Sequence, residues 1–177
     1  ETAVAIADSS YSVADVHFMQ GMIIHHDQAL LMSRLAPERT NNQAILDLAG
    51  RIDVSQDDEI SFMQGWLNER TESVPDTGGT HAKHMSHTMA GMASEEQTAQ
   101  LSRSKSTDFD QLFLTLMINH HDGAIKMVKD LREQSGSAYD PQLNEFVSDV
   151  ANDQTVESDK ITAKDKKKPK KKSGKKE

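Results

Sequence analysis

The sequence predicts an all-α fold, a four-helix bundle built from two copies of one helical hairpin, and three observations carry that prediction. The chain matches itself at a shift of 95 residues, and each copy spaces its apolar residues as a helix requires. Proline is rare, with 4 in 177 residues, and aromatics make up only 5%, which suits narrow helical stripes better than a β-sandwich.

The repeat is specific. Ser12, Asp15, Phe18, Met22, Ile23, His25, His26, Asp27, Ala29 and Met32 fall on Thr107, Asp110, Phe113, Met117, Ile118, His120, His121, Asp122, Ala124 and Met127. A shared His-His-Asp, with a Met three residues before it and Ala-x-x-Met after it, marks a duplication.

Each copy opens on a helix-start signal. Ser12 with Asp15, and Thr107 with Asp110, have the spacing of a capping box. Phe18, Met22, His25, Ala29 and Met32 then step by four and three along one helix face, as do Phe113, Met117, His120, Ala124 and Met127. These helices should stop near Pro37 and Gly136. In the second helix, Ile45, Leu48, Ile52, Met63 and Trp66 form a stripe interrupted by Gln56 and Glu59. Leu143, Phe146, Val150 and Ile161 repeat it around Gln154 and Glu157. Neither stripe is wide enough to stand alone, so the hairpins should pack together.

The expected organisation is a four-helix metal-binding domain over 1–163, with hairpins at about 12–69 and 107–163 and a linker at 70–106. Ser94 and Gln97 give a short helix inside that linker its own capping box. The tail, 164–177, holds nine Lys against Asp165 and Glu177 and is expected to be disordered. It serves as a solubilising tail or as an arm for an anionic surface. Its +7 leaves −15 on the body within a net charge of −8, which argues against nucleic acid as a partner of the body and favours cations. No apolar run is long enough to span a membrane. The chain opens at Glu1, as expected if a signal peptide or a cloning boundary precedes it.

Cysteine is absent, so disulfides and thiolate sites are excluded, whereas Met and His are abundant, with 9 and 8. His25 lies three residues from Met22, and His26 lies four from Met22 and seven from Met19, so imidazole and thioether are neighbours on one helix. The second copy supplies Met117, His120 and His121. If the two first helices face one another, four imidazoles and two or more thioethers converge. Thioether with imidazole favours Cu(I); imidazole alone suits Cu(II) or Zn. Met32 and Met127 read first as plain core. Gln56, Glu59, Gln154 and Glu157 are polar on a core stripe, where they orient the imidazoles by hydrogen bonds or, for the two Glu, ligate directly. In the linker, His81, His84, Met85, His87, Met89 and Met92 form a second dense patch, with Gly78, Gly79 and Gly91 to keep it pliable. Asp27 and Asp122 flank the His pairs, and Asp27 is expected to face solvent.

These features resemble a bacterial family of ferritin-like domains catalogued as domain of unknown function number three hundred and five, and within it the CopM-like copper-binding members. The matching motifs are FMxxMIxHHxxAxxM at 18–32, Ile-x3-Gln-x2-Glu with a following Trp at 52–66, the His/Met tract at 81–92, and FLxxMIxHHxGAxxM at 113–127. The resemblance covers roughly 12–161. It implies a periplasmic or extracellular location and copper, as Cu(I) or Cu(II) with Ag(I) or Zn as surrogates. It also implies ligands among the His pairs, Met22, Met117 and the linker His and Met. The second copy departs in lacking a Trp after Ile161, so a shorter or frayed last helix is expected. The function so read is copper sequestration, resistance or delivery without catalysis, with a copper exporter or sensor as protein partner. A copper-dependent oxidase and a metal-free interaction domain are the alternatives.

Overall fold

The computed structural model describes residues 11–77 and 89–166, and the side chains up to residue 163. Four long helices pair as two hairpins: α1 (Val13–Ser33) with α3 (Gln43–Glu69), and α5 (Ser106–Arg132) with α6 (Pro141–Lys166). A single turn, α2 (Ala36–Arg39), follows α1, and α4 (Glu95–Arg103) precedes α5.

Local signals set most helix starts. Ser12 Oγ accepts from the Asp15 N–H at 3.2 Å and the Ser12 N–H donates to Asp15 Oδ2 at 2.8 Å, a complete capping box. Ser94 and Gln97 cap α4 in the same way. The box expected at Thr107 and Asp110 does not form. The helix begins two residues earlier, after Lys105, with no side-chain cap, and Asp110 Oδ2 instead accepts from Asn42 Nδ2 at 2.8 Å. Its counterpart Asp15 reaches the α5–α6 loop, taking the Ala138 N–H at 2.7 Å. The acidic residue opening each hairpin thus ties down the loop of the other. Asp15 makes its loop contact and its cap with different oxygens, whereas Asp110 makes the tertiary contact alone. Pro37 lies within α2, and α1 stops before it, at Ser33. Gly136 takes a positive φ of 83° just beyond α5.

The last helix is longer than its departure from the repeat suggested. It runs 26 residues and carries three residues of the expected tail, up to Lys166; residues 167–177 lie outside the described residues.

The first helices of the two hairpins cross antiparallel at the centre of the bundle. At one end, Phe18, Met19, Met22 and Ile23 of α1 share an apolar cluster with Met63 and Trp66 of α3, Val128 and Leu131 of α5, and Leu143 and Val147 of α6. At the other end, Ala29 and Met32 join Leu48 and Ile52, Leu101, and Phe109, Phe113 and Met117. Between the two clusters lies a polar layer: His25, His26, Gln56, His120, His121 and Gln154, each at most 2% exposed.

A short strap crosses this layer. Ala93 is held by Gln28 of α1, which accepts from its N–H and donates to its carbonyl, both at 2.8 Å. Gly91, at φ 75°, lies against Gly123 of α5; a Cβ on Gly123 would stand 2.1 Å from the Ala90 carbonyl oxygen. The glycine expected to keep the linker pliable is instead a fixed backbone contact.

Gly123→Ala should therefore lower stability by about 1–3 kcal/mol as the strap is forced off α5. Gly50→Ala, in a helix interior with nothing within 4 Å of the added carbon, should raise it by up to about 1 kcal/mol. Paired denaturant melts measure both; equal effects of one sign would contradict the contact.

Candidate metal centre

Where α1 crosses α5, His25 and His120 stack with ring centroids 3.8 Å apart and planes tilted by 37°. His26 and His121 flank them, each 6.4 Å from its neighbour in sequence. All four side chains are fully buried.

The hydrogen bonds fix which ring nitrogen carries the proton. His25 Nε2 donates to the Ala90 carbonyl at 2.9 Å, and His120 Nε2 donates to the His25 carbonyl at 2.7 Å. His26 Nε2 meets the Glu59 carboxylate of α3. In each of these three rings Nδ1 is buried and has no hydrogen-bond partner in the protein, so an imidazole lone pair is left exposed to the interior. His121 differs. Its Nδ1 donates to the Met117 carbonyl at 2.8 Å and its Nε2 meets Glu157 of α6 at 2.7 Å, so both nitrogens are engaged.

Electrostatics keep the central pair neutral. Burial, and after it the neighbouring His26, lower His25 from 6.5 to about 3, against the opposing pull of the Ala90 hydrogen bond. Burial and the adjoining His25 hold His120 well below its ordinary value. On the outer side, Asp153 is pushed up by partial burial and then by the Glu59, Asp149 and Glu157 carboxylates. Gln56 and Gln154 sit at the same level, and both Gln56 polar atoms and Gln154 Oε1 also lack partners. A buried polar atom left unpaired costs about 1–3 kcal/mol. A core that retains six such atoms in one layer is organised around something other than its own hydrogen bonds.

The sequence profile described as a domain of unknown function, DUF305, matches residues 15–164. The chain belongs to the DUF305 family. A DUF305 fragment from Deinococcus radiodurans superposes with a TM-score of 0.73 at 26% identity, over 86% of this chain and 95% of that one. A DUF305 protein from Streptomyces coelicolor, described as a candidate secreted protein, gives 0.72 at 24%, over 85% and 89%. CopM in its Cu(I)-bound form gives 0.66 at 22%, over 86% and 95%, and it has also been solved with Cu(II). An uncharacterised protein of Acanthamoeba polyphaga mimivirus is 40% identical over 58 residues, a match spanning 33% of this chain and 38% of that protein. The solved structures share this chain's all-helical fold.

Set against the DUF305 pattern in the sequence, the structure brings the two His pairs together and places Met22, Met117, Met19 and Met32 fully buried in the flanking clusters. Glu59 and Glu157 hold one imidazole of each pair. Met89, Met92 and Met127 are half-buried beside the strap. His81, His84, Met85 and His87 lie outside the described residues. Asp27, expected to face solvent, is half-buried, while Asp122 is exposed. Among the described residues, no three His, Asp or Glu side chains are placed to hold a metal ion by themselves. Sequence reasoning missed the Ala90 carbonyl and the Gln28 clamp. The helix-interior glycines at 21 and 123 were the available signal.

A histidine that stays neutral when folded but takes a proton near 6.5 when unfolded draws the chain toward unfolding as pH falls. Stability of the metal-free protein is therefore full above about pH 6.5. It is lost below that by up to about 1.4 kcal/mol per pH unit for each such histidine. Urea melts between about pH 7.5 and 5, above the ordinary carboxylate range, should show this slope, and His120→Gln should reduce it. A flat profile would contradict neutral burial.

Proposed function

We propose that this chain binds copper ions through the buried histidines and neighbouring methionines, taking up and releasing the metal outside the cytoplasm without turning over a substrate. The observation that carries this reading is the set of three buried Nδ1 lone pairs, on His25, His26 and His120, at the crossing of α1 and α5. A metal needs the imidazole unprotonated, and burial already keeps His25 and His120 in that form. The second ring nitrogen of each is fixed by a carbonyl or a carboxylate, the arrangement by which proteins orient a ligating imidazole.

The donor set points to a soft ion. The described His and carboxylates supply no three-fold cage, so further donors come from sulfur. Met22 and Met117 stand one helical turn before the His pairs in each copy. Thioether with imidazole favours Cu(I) and tolerates Cu(II). The solved structures of CopM with Cu(I) and with Cu(II) support this choice. In this reading His121 exchanges its bond to Glu157 or Met117 for the ion, and the linker donors His81, His84, Met85, His87, Met89 and Met92 gather copper before it reaches the core. Zn and Ag(I) serve as probes, and a copper exporter or sensor is the expected protein partner. An extracytoplasmic setting is supported by the candidate secreted relative. No helix among the described residues is long and apolar enough to cross a membrane.

Anaerobic titration with Cu(I) against a competing chelator tests the proposal. Wild-type protein should take at least one equivalent, and saturation should raise its stability by about 2.7 kcal/mol at a hundredfold excess over Kd. His25→Ala with His120→Ala should abolish that gain while the helical circular dichroism is retained. An unchanged melting shift in the double variant would remove the core site, and failure of the wild type to compete would remove copper.

A further inference from the structure

In the two crossing helices, α1 and α5, two glycines break the repeat, and both face the strap. Gly21 stands where the second copy has Leu116, and Gly123 where the first copy has Gln28. Gly123 admits the Ala90–Gly91 backbone, and Gln28 grips Ala93 on both sides. Gly21 does something different. A Cβ there would meet Met89 Sδ of the strap at 3.5 Å and Met127 Cε of α5 at 3.6 Å. Two methionine side chains, from elements far apart in sequence, thus both lie against the same bare stretch of α1. Both are half-buried at the edge of the bundle, whereas Met32, the counterpart of Met127, is 1% exposed within the core. One helical turn along α1 from Gly21 lies His25, with its unpartnered Nδ1.

We propose that Met89 and Met127 form an outer two-thioether site for a soft monovalent cation, which passes the ion inward to His25. The inference rests on the copper reading above and deepens it by naming an entry point. Thioethers are neutral, polarisable and flexible, so a pair of them binds Cu(I) or Ag(I) without demanding a fixed geometry. Weak, open coordination is what a transit site requires. The strap supplies the rigidity: the Met89 backbone adjoins the Ala90 carbonyl held by His25 and the Gly91–Gly123 contact, so only the side chain has to swing. The missing side chain at Gly21 lets Met89 Sδ and Met127 Cε approach the α1 backbone, where the Leu of the other copy would hold them off.

The test uses Ag(I), which avoids oxidation. Wild-type protein labelled at its methionine methyl groups is titrated with Ag(I) and followed by NMR, and uptake from a chromogenic chelator is timed in the wild type and in M89L/M127L. The Met89 and Met127 methyls should shift together in the wild type. The double variant should lose that class of binding and fill its inner site more slowly, to the same final occupancy. Met89 and Met127 methyls that stay put while others move, or a variant that loads as fast as the wild type, would overturn the outer site alone. No methyl shift and no uptake by the wild type would overturn the copper reading beneath it. The methyl titration needs no substitution, so it stands whether or not the variant folds.

Discussion

The bundle depends on burying imidazoles at its centre and keeping them neutral. The His25–His120 stack leaves no room for two positive charges 3.8 Å apart in a dry interior. Each ring of that pair must therefore give its one N–H to an acceptor, and the Ala90 and His25 carbonyls supply these, while Glu59 and Glu157 hold His26 and His121 to either side. The apolar clusters above and below hold the helices together. The polar layer between them contributes little to stability and a good deal to specificity, because its unpaired Nδ1 and glutamine atoms oppose folding. Metal uptake would offset that cost.

Duplication explains how four such rings come to meet. Two hairpins that cross antiparallel through their first helices bring any central motif of one copy against the same motif of the other. Symmetry alone would give His25 and His120 matching partners. The strap breaks it: His120 bonds to the backbone of α1, while His25 bonds to Ala90, outside both hairpins. Gln28 and Gly123, which share one position of the repeat, and Gly21 all contact the strap. These differences between the copies seat the linker against the bundle.

Much of this was legible in the sequence. The shift of 95 residues identified the hairpins, the four-three stepping put His25 and His120 on inward faces, and the Ser12 and Ser94 boxes located two helix starts. Glu59 and Glu157 stood out as polar residues on an apolar stripe, and each holds an imidazole. What could not be read depended on contacts distant in sequence. The box at Thr107 looked as sound as that at Ser12, yet Asp110 is taken by Asn42, 68 positions away. The bound state of Gly91 was hidden because its partner is the backbone of α5. A local pattern predicts a cap or a turn only until a tertiary partner outbids it.

X-ray absorption at the copper edge of the Cu(I)-loaded protein tests the central claim most directly, since it reports the atoms around the ion. The account predicts a mixed first shell of imidazole nitrogen and thioether sulfur, whose nitrogen contribution falls when His25 and His120 are replaced. A shell of sulfur alone, or one unchanged by those replacements, would contradict it and leave the buried histidines as packing.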